Sequence, residues 1–236
     1  MDQIERLKKK LEVLRELDSR CSIFGAFRHK YQLNPPLSLS ELAQIESKND
    51  IQLHPDYKTM ISQLGNGGAG CGYGLERLSL SKAQPPYPGS AHLLRACENP
   101  GKITCDMVDP SEISGYVKLF DYGCGIELTL IVNGEEQGDL VQFDCDGRFE
   151  KITNKTLPDI YETWLDESTA VLNRVKTKLL NQAPREVIAS EQELNNYSVK
   201  GMILSVIKAS PLPSSYGPEE FYNHLDSAYN SWKERK

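Results

Sequence analysis

Between Gly65 and Gly74 the chain places six glycines in ten residues, Gly65-Asn-Gly-Gly-Ala-Gly-Cys-Gly-Tyr-Gly74. Each glycine adds backbone freedom that folding must remove and offers no side chain to pack, so no regular element runs through such a segment. The hydrophobic period changes across it. On the N-terminal side Ile4, Leu7, Leu11 and Leu14 recur at helical spacing within a highly charged stretch, which predicts a helix over 2–18. Ser38-Leu-Ser40-Glu41-Leu-Ala-Gln-Ile45 has the form of a capped helix start, and Pro55 opens a third helix that ends near Leu64. The glycine run reads as the stop of that helix, on the ground that glycine takes left-handed conformations freely.

On the C-terminal side the runs are short and β-rich: Leu75–Leu80, Gly115–Phe120, Glu127–Val132, Gly138–Phe143 and Arg148–Ile152. Asn133-Gly134 and Asp146-Gly147 between them are hairpin signals. A long helix follows from about Pro158 to Leu180. Beyond Pro184, residues 186–197 read as helical, Gly201–Ala209 as a strand, and Pro218–Glu234 as a final helix with proline in its first turn. The pattern predicts an α+β fold: a central antiparallel or mixed sheet with helices before and after it, and a mainly helical C-terminal extension. It divides the chain into an N-terminal helix and loop (1–34), the α+β domain (35–172) and the extension (173–236), which either packs on the domain or stands apart.

Charge narrows the function. The 27 Lys+Arg and 33 Asp+Glu give a net −6, but the excess is local: residues 106–167 hold 15 acidic and 4 basic side chains, a net of −11. Such a strip excludes direct nucleic-acid binding and attracts basic partners. No window approaches the roughly 18 apolar residues of a membrane span. Ten charged residues within the first 18 fit no secretory leader. The expectation is a cytoplasmic protein, monomeric or weakly dimeric, with its six cysteines reduced. Cys71 and Cys124, each between glycines, read as small apolar residues in tight bends.

Catalytic patterns fail on context. Gly65-x-Gly67-x-x-Gly70 matches a dinucleotide fingerprint in spelling, yet it follows a helix and opens a strand, the reverse of what that fingerprint needs. Asp144-Cys-Asp146-Gly147 lacks the remaining ligands of a calcium loop. His29, His54, His92 and His224 have no metal-ligand spacing. The residues predict no catalytic, cofactor-binding or metal set, although a Cys–His pair of Cys124 and His92 stays open, since such partners meet in space.

An ordered set of short motifs resembles the SUKH superfamily, the Smi/Knr-type domains. Leu53-His-Pro55-Asp56-Tyr57-Lys58, Leu64 and Asn66-Gly67-Gly68 are similar to its first block. Asp121-Tyr-Gly123-Cys-Gly125, Leu130-Ile-Val-Asn133-Gly134, Gly138-Asp-Leu-Val141 and Tyr161-x-x-Trp164-Leu165 are similar to its second. His54 replaces part of the usual Leu-Pro pair, and Gln142-Phe143 stands where a tryptophan is common. The resemblance spans about 38–170 and implies a bacterial immunity protein that binds and neutralises a cognate polymorphic or contact-dependent toxin, many of which are nucleases with basic clefts. It also implies turn and cap roles for its glycines, Asn and Pro. Asp121, Glu127, Glu135, Glu136, Asp144 and Asp146, near the hairpin turns, are the candidate toxin-binding acids. A regulatory or scaffold module of the same fold is the alternative, and a thiol-dependent enzyme the third.

Overall fold

The computed structural model describes residues 2–78, 116–132, 137–143, 149–191, 196–210 and 217–235. Eight helices are seen among them. These are α1 (Gln3–Leu17), α2 (Ala26–His29), α3 (Leu39–Asn49), α4 (Pro55–Thr59), α5 (Leu157–Asn181), α6 (Pro184–Ser190), α7 (Asn196–Val206) and α8 (Pro218–Glu234). Four strands, β1 (Tyr116–Gly123), β2 (Ile126–Ile131), β3 (Leu140–Phe143) and β4 (Phe149–Ile152), form one antiparallel meander in that order. The fold is α+β.

Local sequence accounts for most boundaries. Ser38 caps α3 in a reciprocal box: its hydroxyl accepts from the Glu41 N–H while the Glu41 carboxylate accepts from the Ser38 N–H. Thr156 and Asp159 repeat the arrangement at the start of α5. In α4 the cap is His54, whose Nδ1 accepts from the Asp56 N–H, and Pro55 occupies the first turn. That helix passes directly into a π-helical turn over Met60–Leu64, closed by the Gly65 N–H bonding to the Met60 carbonyl. Gly65 is extended, not left-handed, which corrects the expected reason for a glycine there. A Cβ at 65 would lie 2.7 Å from the Asn34 carbonyl oxygen, so the residue is small because another backbone passes over it.

In the sheet, a bulge between Lys118 and Phe120 breaks the alternation of β1 and turns both Leu119 and Phe120 inward. The expected strand at 75–80 reduces, in its described part, to an isolated bridge: Leu75 pairs Gly68 on one side and Phe120 on the other. Residues 79 and 80 and the turns at Asn133-Gly134 and Asp146-Gly147 lie outside the described residues. Tyr161 of α5 packs against Phe120, and its hydroxyl donates to the Ala69 carbonyl, joining helix, sheet and glycine run.

α5 is the spine, about 37 Å long at 1.5 Å per residue. α1 buries Ile4, Leu7, Leu11 and Leu14 in the core, packing along α5, each contributing about 2 kcal/mol. α7 and α6 also pack on α5, and the Tyr229 hydroxyl of α8 reaches the Leu179 and Gln182 carbonyl oxygens at 3.0 and 3.1 Å. α5 runs continuously through residue 172; α6 and α7 pack on it, and α8 packs on α6. Two expectations are corrected here. Gly201–Ala209 is not a strand: residues to Val206 complete α7, and its apolar run is buried in the helical form, with Val199, Met202, Ile203 and Val206 all in the core. The helix expected over 186–197 is shorter and earlier, ending at Ser190.

Candidate protein-binding surface

The glycine run folds against residues 24–34 and β1 in successive backbone contacts. Gly25, at φ +77°, sits so close to Gly72 that a Cβ would be 1.7 Å from the Gly72 oxygen. Gly72, at φ +57°, lies equally tightly on the Asp121 carbonyl, with 2.2 Å left for its own Cβ. The Tyr73 N–H donates to that same Asp121 oxygen. Only glycine permits this stacking of backbones. Asn66, buried, pairs with Leu78 as a strand would: Leu78 N–H donates to its Oδ1 and its Nδ2 donates to the Leu78 carbonyl. Gly67 and Gly68, both at positive φ, follow in the same turn, a Cβ at Gly68 falling 2.3 Å from the Gln32 oxygen.

This junction brings an aromatic group to the surface. Phe24 and Phe27 are 56% and 60% exposed, and they lie next to one another. Both rings meet Tyr73, at 5.2 and 6.0 Å between centroids, and the Arg28 guanidinium lies 4.2 Å over the Tyr73 ring. Gly123 lies beneath, where a Cβ would touch Phe24 and Tyr73 at 3.3 Å. Beside the group, Ile23, Phe24, Tyr122, Ile160 and Trp164 border a shallow, mainly apolar recess of about 290 Å³. Lys155 and Glu167 supply the charged groups at its border.

The predicted acids take different positions. Asp121 and Glu127 are cross-strand partners on β1 and β2, and both are held by Lys118, whose Nζ is 3.2 Å from Asp121 Oδ2 and 2.5 Å from Glu127 Oε1. Burial opposes ionisation of Asp121, but the Gly123 N–H and Lys118, with Arg28 farther off, outweigh it and hold the carboxyl below its usual range. Glu135, Glu136, Asp144 and Asp146 lie outside the described residues, as do Asn133 and Gly134. Of the eight described acids in 106–167, five are ion-paired: Asp139 with Lys151, Glu162 with Arg6 and Lys10, and Asp166 with Lys10, besides the two on Lys118. Hydrogen bonds from Arg6 and Lys10 draw Glu162 down to about 2. Part of the acidic strip therefore serves to seat α1 on α5.

The remaining signature residues divide between two places. Asp56, Tyr57 and Gly138 meet where His54 lies against Gly138, a Cβ there being 3.0 Å from His54 Cδ2, at a cleft of about 430 Å³, with Pro55 in the first turn of α4. Tyr57 is buried in the core. Gly125 stands in the β1–β2 turn with Cys124, which is exposed at φ +52° and is thus a bend residue without the apolar burial expected of it. Cys71 is buried, and desolvation pushes its thiol up to about 12. His92 lies outside the described residues.

Trp164 packs edge-on against His29 and Tyr161 and stacks on Tyr31. His29 is buried, its Nδ1 accepting from the Tyr31 N–H. Its Nε2 has no hydrogen-bond partner among the described residues. Burial lowers the imidazole to about 4, opposed only in part by the nearby Gly70 backbone. The unfolded ring takes a proton near 6.5, so this site is fully stabilising above that pH and loses its contribution as pH falls toward 4. The expected loss is on the order of 2 kcal/mol, reduced from the unscreened value by solvent near the ring. Urea melts at pH 7.5 and 5 read it, and His29→Phe removes that part of the slope.

Sequence reasoning left 24–28 as an undivided loop and missed Phe24, Phe27, Arg28 and Tyr73. Two phenylalanines around a glycine, and a tyrosine inside the glycine run, were the available signal. Among the described residues no three His, Cys, Asp or Glu are grouped to hold a metal ion, and no helix is long and apolar enough to cross a membrane. No protein-family model, no curated protein and no solved structure matches this chain.

Proposed function

We propose that this chain is a non-enzymatic immunity protein, which binds a cognate toxin and blocks it, with the Phe24–Phe27–Tyr73 group as the anchor of the contact. The observation that supports the reading most is the exposure of two phenylalanines on a backbone fixed by glycine contacts, beside Arg28 and the Asp121–Lys118–Glu127 cluster. Rigid aromatic side chains lose little entropy on binding, and a polar rim around them supplies specificity. The resemblance of residues 38–170 to the SUKH superfamily supplies the class of partner. The acids act at the rim, where they speed encounter with a basic face.

Co-expression with a candidate toxin from a neighbouring gene tests it. The wild-type chain restores growth and co-purifies with the toxin. Phe24→Ala with Phe27→Ala melts within about 1 kcal/mol of wild type, since both rings are largely in solvent. It weakens the complex on the order of 100-fold, about 3 kcal/mol. Full rescue and unchanged affinity in the double variant would remove the aromatic group from the interface; absence of any complex with the neighbouring toxin would remove the function.

A further inference from the structure

The segment that carries the exposed phenylalanines has little regular structure of its own: between Leu17 and Asn34 only Ala26–His29 form a helical turn. Its first part is fixed around the Asp18 carboxylate, and the far end of the chain adds to that hold. The Ser205 hydroxyl of α7 accepts from the Arg20 N–H at 3.2 Å and donates to Asp18 Oδ1 at 3.0 Å. The Asp18 carboxylate, fully buried, also accepts from the Ser22 N–H and hydroxyl through Oδ1. Through Oδ2 it accepts from the Ile23 N–H at 2.9 Å and the Tyr31 hydroxyl at 2.6 Å. The Ile23 amide is the last backbone group before Phe24. Arg20 extends beyond α7, its guanidinium donating to the Ala209 and Ser210 carbonyls at 2.6 and 2.8 Å, where a cation suits the negative end of a helix. Inside α7, Gly201 leaves room for Ser22: a Cβ on it would be 2.8 Å from Ser22 Cβ.

We infer that Ser205 and Gly201 of α7 are positioning residues for the aromatic group, holding the 18–23 turn and with it the placement of Phe24 and Phe27. The significance of that placement rests on the protein-binding reading above; the positioning itself does not. The contacts run in one direction of dependence. α7 packs on α5 with Val199, Met202 and Ile203 in the core. The 18–23 turn has only the half-buried Cys21 and Ile23 packed against the core, and no fully buried apolar side chain. Loss of the Ser205 hydroxyl therefore releases the turn before it releases the helix. A glycine in a helix interior is ordinarily a weak point that alanine improves. At 201 the sign reverses, because the added methyl drives Ser22 and its backbone away.

Hydrogen exchange on the full free chain, followed by peptide mass spectrometry, tests this without any toxin. In Ser205→Ala the amides of 19–31 exchange at least about tenfold faster than in wild type. Those of β1 and β2 stay within about twofold, as a change confined to one cooperative unit requires. Gly201→Ala moves the same peptide in the same direction, and Ser205→Thr, which keeps the hydroxyl, returns it to the wild-type rate. Unchanged exchange over 19–31 in Ser205→Ala overturns the inference. So does an equal rise in 19–31 and the sheet, which is plain global destabilisation, or a Ser205→Thr variant that behaves like the alanine. Because the readout is on the free protein, its failure leaves the toxin-binding test standing, and failure of that test leaves this one untouched.

Discussion

Gly25→Ala is expected to be the most destabilising alanine substitution at the glycine contacts. The methyl group would fall 1.7 Å from the Gly72 oxygen and 2.3 Å from its carbonyl carbon, at a left-handed φ of +77° that alanine itself resists. Neither strand of backbone can step aside. Gly72 is pressed on Asp121, whose carbonyl accepts the Tyr73 N–H at 2.7 Å, and Asp121 belongs to β1. A shift at 25 would thus propagate into the sheet. The expected cost exceeds about 4 kcal/mol, a large part of the 5–15 kcal/mol by which domains are stable. Urea denaturation followed by circular dichroism reads it, and a Gly25→Ala chain within 1 kcal/mol of wild type would show that the two backbones do not touch.

The second large effect is at Asp18. Its carboxylate gathers five donors from four residues: the Ser22 N–H and hydroxyl, the Ile23 N–H, the Tyr31 hydroxyl and the Ser205 hydroxyl. Asp18→Ala strands these donors in a site with no exposed surface, and the expected loss is about 3–5 kcal/mol. Asp18→Asn keeps one acceptor oxygen but turns an NH2 toward N–H and O–H donors, so a loss between those of alanine and wild type is expected. The same variant relieves the Tyr31 phenol, which burial first and the Asp18 charge second hold far above its ordinary pKa. Equal melting of wild type and Asp18→Ala would mean that water already serves these donors.

Local chemistry made the helices and hairpins legible. The period of Ile4, Leu7, Leu11 and Leu14, the Ser38–Glu41 box and the prolines at 55, 158 and 218 each act within one or two turns, and the corresponding elements are where they point. Gly201–Ala209 misled because a continuous apolar run looks the same in a buried helix and a buried strand; the choice was made by packing on α5. The aromatic group was illegible for a different reason. Its parts come from residues 24–28, 73 and 121–123, joined only when three glycine-bearing backbones stack. Asp18 read as one charge among ten at the end of a helix, and nothing local distinguishes it from Glu16. The acidic strip was visible as a sum but not as a surface, because the cations that neutralise Glu162 and Asp166 lie more than 150 residues earlier in α1.

The stacked glycines separate two kinds of constraint. At 25, 68 and 72 the requirement is on the backbone and admits one residue type. At 24, 27 and 73 the same backbone holds side chains that contribute little to folding, Phe24 and Phe27 most clearly. The exposed side chains can therefore be exchanged while the frame stays untouched. On the binding role proposed above, that makes a surface able to diversify by single substitutions without refolding between them.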